Sequence, residues 1–228
     1  MALRTQVNCD QELHEQIVSL REAMLLLLSF VIGFTFSMAL TRYDQRCDLV
    51  VAEANAISTT SLRVGMLPDA HQVELLNTLR EYADSRMRIY EAGLNRQRME
   101  AALNQGTQLQ NRLWDASVAI GRQDRSFVFA AFMDSLNETM DLDSKRRAAA
   151  ENRIPFIVWV LIMFITFLAA FTAGYSLHRR FWFAAVALPL TFAVVVALIA
   201  DLDAPYSGFT GAGHDTTLRL QEQLHRGQ

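Results

Sequence analysis

Three uncharged apolar runs dictate most of what this chain can become. The first, Met24 to Leu40, has no charged residue in 17 positions. At a rise of ~1.5 Å per residue it spans most of a ~30 Å hydrocarbon core. Ile154 to Leu177 and Phe181 to Ala200 are also free of charge and long enough to cross a bilayer. In lipid every backbone polar group must bond internally, so such runs are helices. The expectation is an all-α integral membrane protein. Three transmembrane helices occupy 23–41, 154–177 and 181–200, with a helical-bundle domain outside the membrane between the first and second.

The first run does not end as a plain span. No Pro or Gly follows Gly33 until Gly65, so the helix should leave the lipid as a stalk. Arg42/Arg46 and Asp44/Asp48 are like-charged pairs four residues apart, which destabilise an isolated helix and are better placed against other helices or subunits. Ser58 to Ser61 and Gly65 should loosen the helix, and Leu67-Pro68-Asp69 restarts it.

Residues 42–153 then read as stalk and bundle. Helices are expected from Asp69 to Ala92, Asn95 to Ile120 and Ser126 to Ala150. The first should bury Val73, Leu76, Leu79, Ala83, Met87 and Tyr90, with Arg80, Asp84 and Arg88 outside. The second should bury Met99, Leu103, Leu109, Leu113 and Trp114. The third should bury Phe129, Phe132, Met133, Leu136 and Met140. Asp134, Glu138 and Asp141 form its outer, solvated face. This stretch holds 15 basic and 16 acidic residues, so it carries no overall steering charge.

Ahead of the first span, residues 1–22 form an amphipathic helix with Leu13, Ile17, Leu20 and Met24 at spacings of four, three and four. The acidic lead-in argues against a cleaved signal peptide. Beyond the last span, 201–228 is a tail that opens with Asp201 and Asp203. Pro189 lies inside the third span and should kink it. Arg42, Arg46, Lys145, Arg146, Arg147 and Arg153 flank the bundle side of the spans, against Arg21, Arg179 and Arg180 on the other. The positive-inside rule therefore puts the middle domain in the cytoplasm.

Chemistry is sparse. There is no nucleophilic triad, phosphate-cradling glycine loop or HExxH, and the five histidines are scattered, so no enzyme is expected. No basic stripe suggests nucleic acid. Cys9 and Cys47 flank the first span and have no metal-ligand spacing.

The first span carries the more informative pattern. Ser29, Gly33, Ser37 and Thr41 recur every four residues, and small side chains on one stripe let a neighbouring helix approach closely. Phe30 and Phe34 form the adjoining stripe. Stacked aromatic rings around an oligomer axis make a hydrophobic constriction that gates by dewetting. Ser37 is placed with that constriction; Ser29, Gly33 and Thr41 are placed with the packing face. The alternative is that the phenylalanines face lipid or another helix.

Several blocks resemble the bacterial bestrophin-like domain family: Arg42-Tyr43-Asp44, Glu53-Ala54-Asn55-Ala56-Ile57, Leu67-Pro68, the run from Arg153 through Pro155 to Trp159, and Leu202-Asp203-Ala204-Pro205-Tyr206-Ser207-Gly208. The resemblance covers Ser29 to Phe209. It implies a pentameric channel for small anions such as chloride, set in the lipid bilayer of the bacterial inner membrane. It also implies a phenylalanine constriction, here Phe30 and Phe34, and an acidic calcium-binding segment, here Asp201 and Asp203. The chain departs from the family in its acidic amphipathic N-terminus, where relatives commonly carry another membrane helix, and in having only two closely spaced acids in the tail. The competing expectation is a non-conducting, membrane-anchored helical sensor or scaffold.

Overall fold

The computed structural model describes residues 2–93, 95–176 and 182–205, and at 2–14, 173–176, 182–185 and 188 the helical backbone alone. Six helices follow in order: α1 Ala2–Val64, α2 Asp69–Glu91, α3 Arg96–Gly121, α4 Phe127–Glu151, α5 Phe156–Ser176 and α6 Trp182–Asp203. Among the described residues there is no strand. The chain divides into two compact units, Met1–Thr41 with Arg153–Asp203 and Arg42–Asn152 with Ala204–Gln228.

Helix α1 is unbroken, and Ser58 to Ser61 do not loosen it as expected. Thr60 Oγ1 donates to the Ala56 carbonyl at 2.8 Å and Ser61 Oγ to the Ser58 carbonyl at 2.8 Å. These hydroxyls bond back to the preceding turn and leave the ladder intact. The helix stops where Gly65 precedes Pro68, the N-cap of α2. Gln72 Nε2 closes that turn by donating to the Leu67 carbonyl at 2.6 Å. Side-chain caps start the next two helices: Asn95 Oδ1 accepts from the Arg98 N–H at 3.1 Å, and Ser126 Oγ from the Phe129 N–H at 3.1 Å.

In the bundle unit the C-terminal part of α1 joins α2, α3 and α4 around one core. Ile57 and Val64 of α1, Leu75, Leu79 and Tyr82 of α2, Leu109 and Leu113 of α3, and Phe132 and Leu136 of α4 are all buried there. Helices α2 and α3 form the closest pair. Gly106 lies between them, where a Cβ would make an ordinary 3.4 Å contact with Ser85 Oγ. The expected inward face of α4 holds, with Phe129, Met133 and Met140 partly buried against the core, and Asp134, Glu138 and Asp141 are exposed.

Helix α2 buries Leu79, Ala83 and Met87 as expected and departs from the expectation at its start. Val73 is 68% exposed, and the buried stripe runs through Leu75, Leu79, Tyr82, Arg86 and Ile89. On α3, Trp114 is likewise exposed, and Ala102, Ser117 and Ile120 are buried.

In the other unit Leu28, Ile32, Thr35 and Ala39 of α1 are buried at spacings of four, three and four, as are Ile162, Ile165 and Ala169 of α5. The outer faces stay apolar: Phe164, Phe167 and Phe171 of α5 and Leu190 and Val194 of α6 are exposed. A helix that is apolar all round but half uncovered suits lipid. Two helical stretches, within Glu15–Val64 and Phe127–Thr172, are long and apolar enough to cross a membrane.

Phe132 is fully buried at the centre of the bundle core. Phe132→Ala should therefore cost about 3–5 kcal/mol. The expected outcome is a clearly lowered thermal unfolding midpoint of the solubilised protein, whereas Val73→Ala should leave it nearly unchanged.

Candidate functional site

The six candidate residues on the first span all lie on its uncovered side. Phe30 is 72% and Phe34 67% exposed, and Ser29, Gly33, Ser37 and Thr41 are exposed with them. A Cβ added at Gly33 would meet nothing within 4 Å. Thr41 Oγ1 donates to the Ser37 carbonyl at 3.0 Å, so its methyl and small bulk face outward without an orphaned hydroxyl. The opposite stripe, Leu28, Ile32, Thr35 and Ala39, is the buried one. Phenylalanine and small-residue stripes are thus both free within one chain to meet another helix, lipid or a pore.

Asp203 occupies a different kind of position. It is buried, and its Oδ1 accepts from the Ile154 N–H at 3.0 Å. The carboxylate ties the C-terminal end of α6 to the turn that leads into α5. Asp201 is half-exposed. Among the described residues no group of three or more His, Cys, Asp or Glu side chains is placed to hold a metal ion.

A buried ionic network in the bundle unit escaped the sequence reading. Glu53 of α1 is 1% exposed, yet three groups converge on it. Tyr82 Oη donates to its Oε1 at 2.9 Å, Arg86 Nε approaches Oε1 at 3.1 Å, and Arg146 Nη1 of α4 bonds Oε2. Arg86 Nη2 also pairs with Asp143 Oδ1 at 2.7 Å, and Arg147 Nη2 with Asp143 Oδ2 at 2.8 Å. Gln110 of α3 donates to Tyr82 Oη at 3.2 Å and to Asp143 Oδ2 at 3.0 Å, which closes the ring through the fourth helix. Arg86 lies 5.8 Å from the centre of the Tyr82 ring and Arg146 5.9 Å from that of Tyr90, at cation–π distance.

The electrostatics follow from burial. Burial alone would raise the Asp143 carboxyl, but Arg86 beside it, helped by Arg147 and Gln110, holds it below the ordinary carboxylate range. Burial and the neighbouring Glu53 carboxylate push the Tyr82 phenol well above its ordinary value, so it stays a donor. The arrangement has no nucleophile and no open face for a substrate. It fastens helices. The signal was present as register: Glu53 falls three residues after Val50 and four before Ile57, inside the buried stripe of α1.

These features define a helical membrane protein with an apolar helical unit and a fastened helical bundle. The family model for the Bestrophin-like domain matches residues 10–215, and the chain belongs to that family. Solved structures agree with this fold. A point variant of a bacterial bestrophin homologue from Klebsiella pneumoniae superposes with a TM-score of 0.74 at 14% identity, over 96% of this chain and 93% of that one. The same homologue solved by zinc phasing gives 0.71 at 14% identity, over 91% and 87%. No curated protein matches the sequence.

Three expected outcomes check the network and the tie. Glu53→Ala leaves two buried guanidinium groups without their carboxylate and should destabilise the bundle by about 3–5 kcal/mol, read by chemical denaturation. Because the folded Asp143 pKa is depressed, its contribution is present above the unfolded value near ~3.9 and is lost as pH falls through the folded one. Native protein should therefore weaken steeply below about pH 4, and Asp143→Asn, already weakened at neutral pH, should show a flatter acid limb. Asp203→Ala strands the buried Ile154 N–H and should cost about 1–3 kcal/mol, seen as a lowered unfolding midpoint.

Proposed function

We propose that the chain is one subunit of an oligomeric ion channel in the bacterial inner membrane, with its bundle on the cytoplasmic side. Three spans, 23–41 of α1 with α5 and α6, cannot enclose a water-filled path alone, so several copies must surround it. The family resemblance suggests five. Phe30, Phe34 and Ser37 of each copy face the axis, and Ser29, Gly33 and Thr41 let the adjacent copy pack closely. The observation that carries this reading is the exposure of Phe30 and Phe34 on a stripe opposite a fully buried one.

A ring of phenylalanines closes a pore by dewetting and opens when the ring widens. It opposes an ion of either charge, since the barrier is the loss of hydration. The family resemblance brings forward small anions as the permeant species. The charges beyond the constriction decide the sign.

Purified protein in liposomes should release an entrapped salt faster than empty liposomes do. Phe34→Ala should raise that flux severalfold by removing part of the dewetting barrier. Folded, oligomeric protein with no flux above the empty control would instead favour the membrane-anchored sensor or scaffold.

A further inference from the structure

A small cavity of about 20 Å3 lies beside the ionic network of the bundle unit. Arg46 and Val50 of α1, Tyr90 of α2, Arg146 and Ala149 of α4, and Pro205 beyond α6 line it, and all of them belong to that unit. One water needs about 10–15 Å3 of such space. The cavity therefore has room for a water or a halide ion and is too small for a phosphate group.

Its polar lining is made of donors. Both arginines are more than nine-tenths buried, Arg46 at 6% and Arg146 at 8% exposure, and a guanidinium carries five N–H groups and no acceptor. Arg146 uses Nη1 on Glu53 and Nη2 on the Tyr90 hydroxyl oxygen at 2.9 Å. Tyr90 accepts in that bond, so its own proton is left to donate. Arg46 has interactions of its own, but its Nε and Nη1 are enclosed and meet no acceptor among the described residues. A water in this place accepts from these groups and finds no side-chain acceptor for its own protons. An anion, which only accepts, satisfies the same donors and offsets the cost of burying two cations on one cavity.

We propose that this cavity binds one halide-sized monovalent anion, such as chloride, held between Arg46 and Arg146. The ion is a fixed ligand of the bundle and not a permeant one, so the proposal stands apart from the channel reading. Bound there, it joins α1 to α4 next to the segment that follows α6. Anything that binds the folded chain alone stabilises it by mass action. The stability of the bundle should therefore depend on halide concentration, beyond any general effect of salt.

The test is thermal unfolding of the full-length solubilised protein titrated with bromide at constant ionic strength, with gluconate, which is too large for the cavity, as the replacement. The native midpoint should rise with bromide and follow saturation of a single site. Arg46→Gln should weaken that apparent affinity roughly 10- to 100-fold by removing a charged donor. Ala149→Leu, which fills the cavity, should abolish the dependence, and Asp134→Asn on the exposed face of α4 should leave it unchanged. Crystals of the native protein soaked in bromide supply a readout that needs no variant to fold: an anomalous peak between Arg46 and Arg146 is expected. An empty cavity in those crystals, a midpoint indifferent to bromide, or a bromide dependence that survives both Arg46→Gln and Ala149→Leu would overturn the proposal.

Discussion

The Glu53 carboxylate is the group on which the bundle depends. It sits on α1 and holds Arg86 of α2 and Arg146 of α4, while Gln110 of α3 joins the ring through Tyr82 and Asp143. Buried ion pairs add little net stability, because desolvation offsets most of the attraction. Their consequence is geometric. A slip of any helix by one turn would leave a guanidinium or a carboxylate buried alone, at a cost that apolar contacts could not make up. Leucines and phenylalanines around the network tolerate sliding better, since one apolar surface packs much like another. The core supplies most of the attraction, and the charges fix which arrangement of helices it stabilises.

Helix α1 has to satisfy two solvents along one unbroken length. Through the apolar unit its covered stripe is Leu28, Ile32, Thr35 and Ala39, and in the bundle it becomes Arg46, Val50, Glu53, Ile57, Thr60 and Val64. Period and phase persist while the chemistry changes from aliphatic to polar. Where Thr35 and Thr60 fall on that stripe, each hydroxyl bonds the carbonyl four residues back, so neither is an orphan in a low-dielectric setting. Thr60 also reaches Thr139 of α4 at 3.1 Å, which adds a polar link beside the ionic one.

What the sequence disclosed follows from what local chemistry can encode. Asn95, Ser126 and Pro68 mark helix starts to within a residue or so, because capping and proline geometry act within one turn. Apolar runs marked the candidate spans for the same reason: bilayer thickness is a length, and length is visible. On α2 only Val73 of the expected face proved strongly exposed, and the burial of Arg86 was not foreseen. A charged residue is buried only when partners from other elements meet it, and Glu53 and Asp143 lie far from it in sequence. Asp203 was legible as an acid at a membrane edge, but its bond to the Ile154 N–H joins positions 49 residues apart. Conversely, the outward side of Phe30 and Phe34 was open to inference from spacing. Its occupant was not, since that belongs to neighbouring copies or lipid.

Charge totals conceal this organisation. The stalk and bundle hold 15 basic and 16 acidic residues, which suggests no field at all. Yet the arginines of the stalk are drawn inward: Arg46 is buried, and Arg63 is half-buried and donates to the Ala131 carbonyl at 2.5 Å. An arginine can be buried this way because its long stem packs on apolar neighbours and its several donors find carboxylates and carbonyls at once. An aspartate has a short stem and no donor, so on an uncovered helix face it stays in water. Along α1 from Arg42 to Arg63 the arginines are buried or half-buried, Glu53 joins them in the ionic network, and Asp44 and Asp48 are exposed. A stretch that is neutral in sum can in this way present an acidic surface along α1.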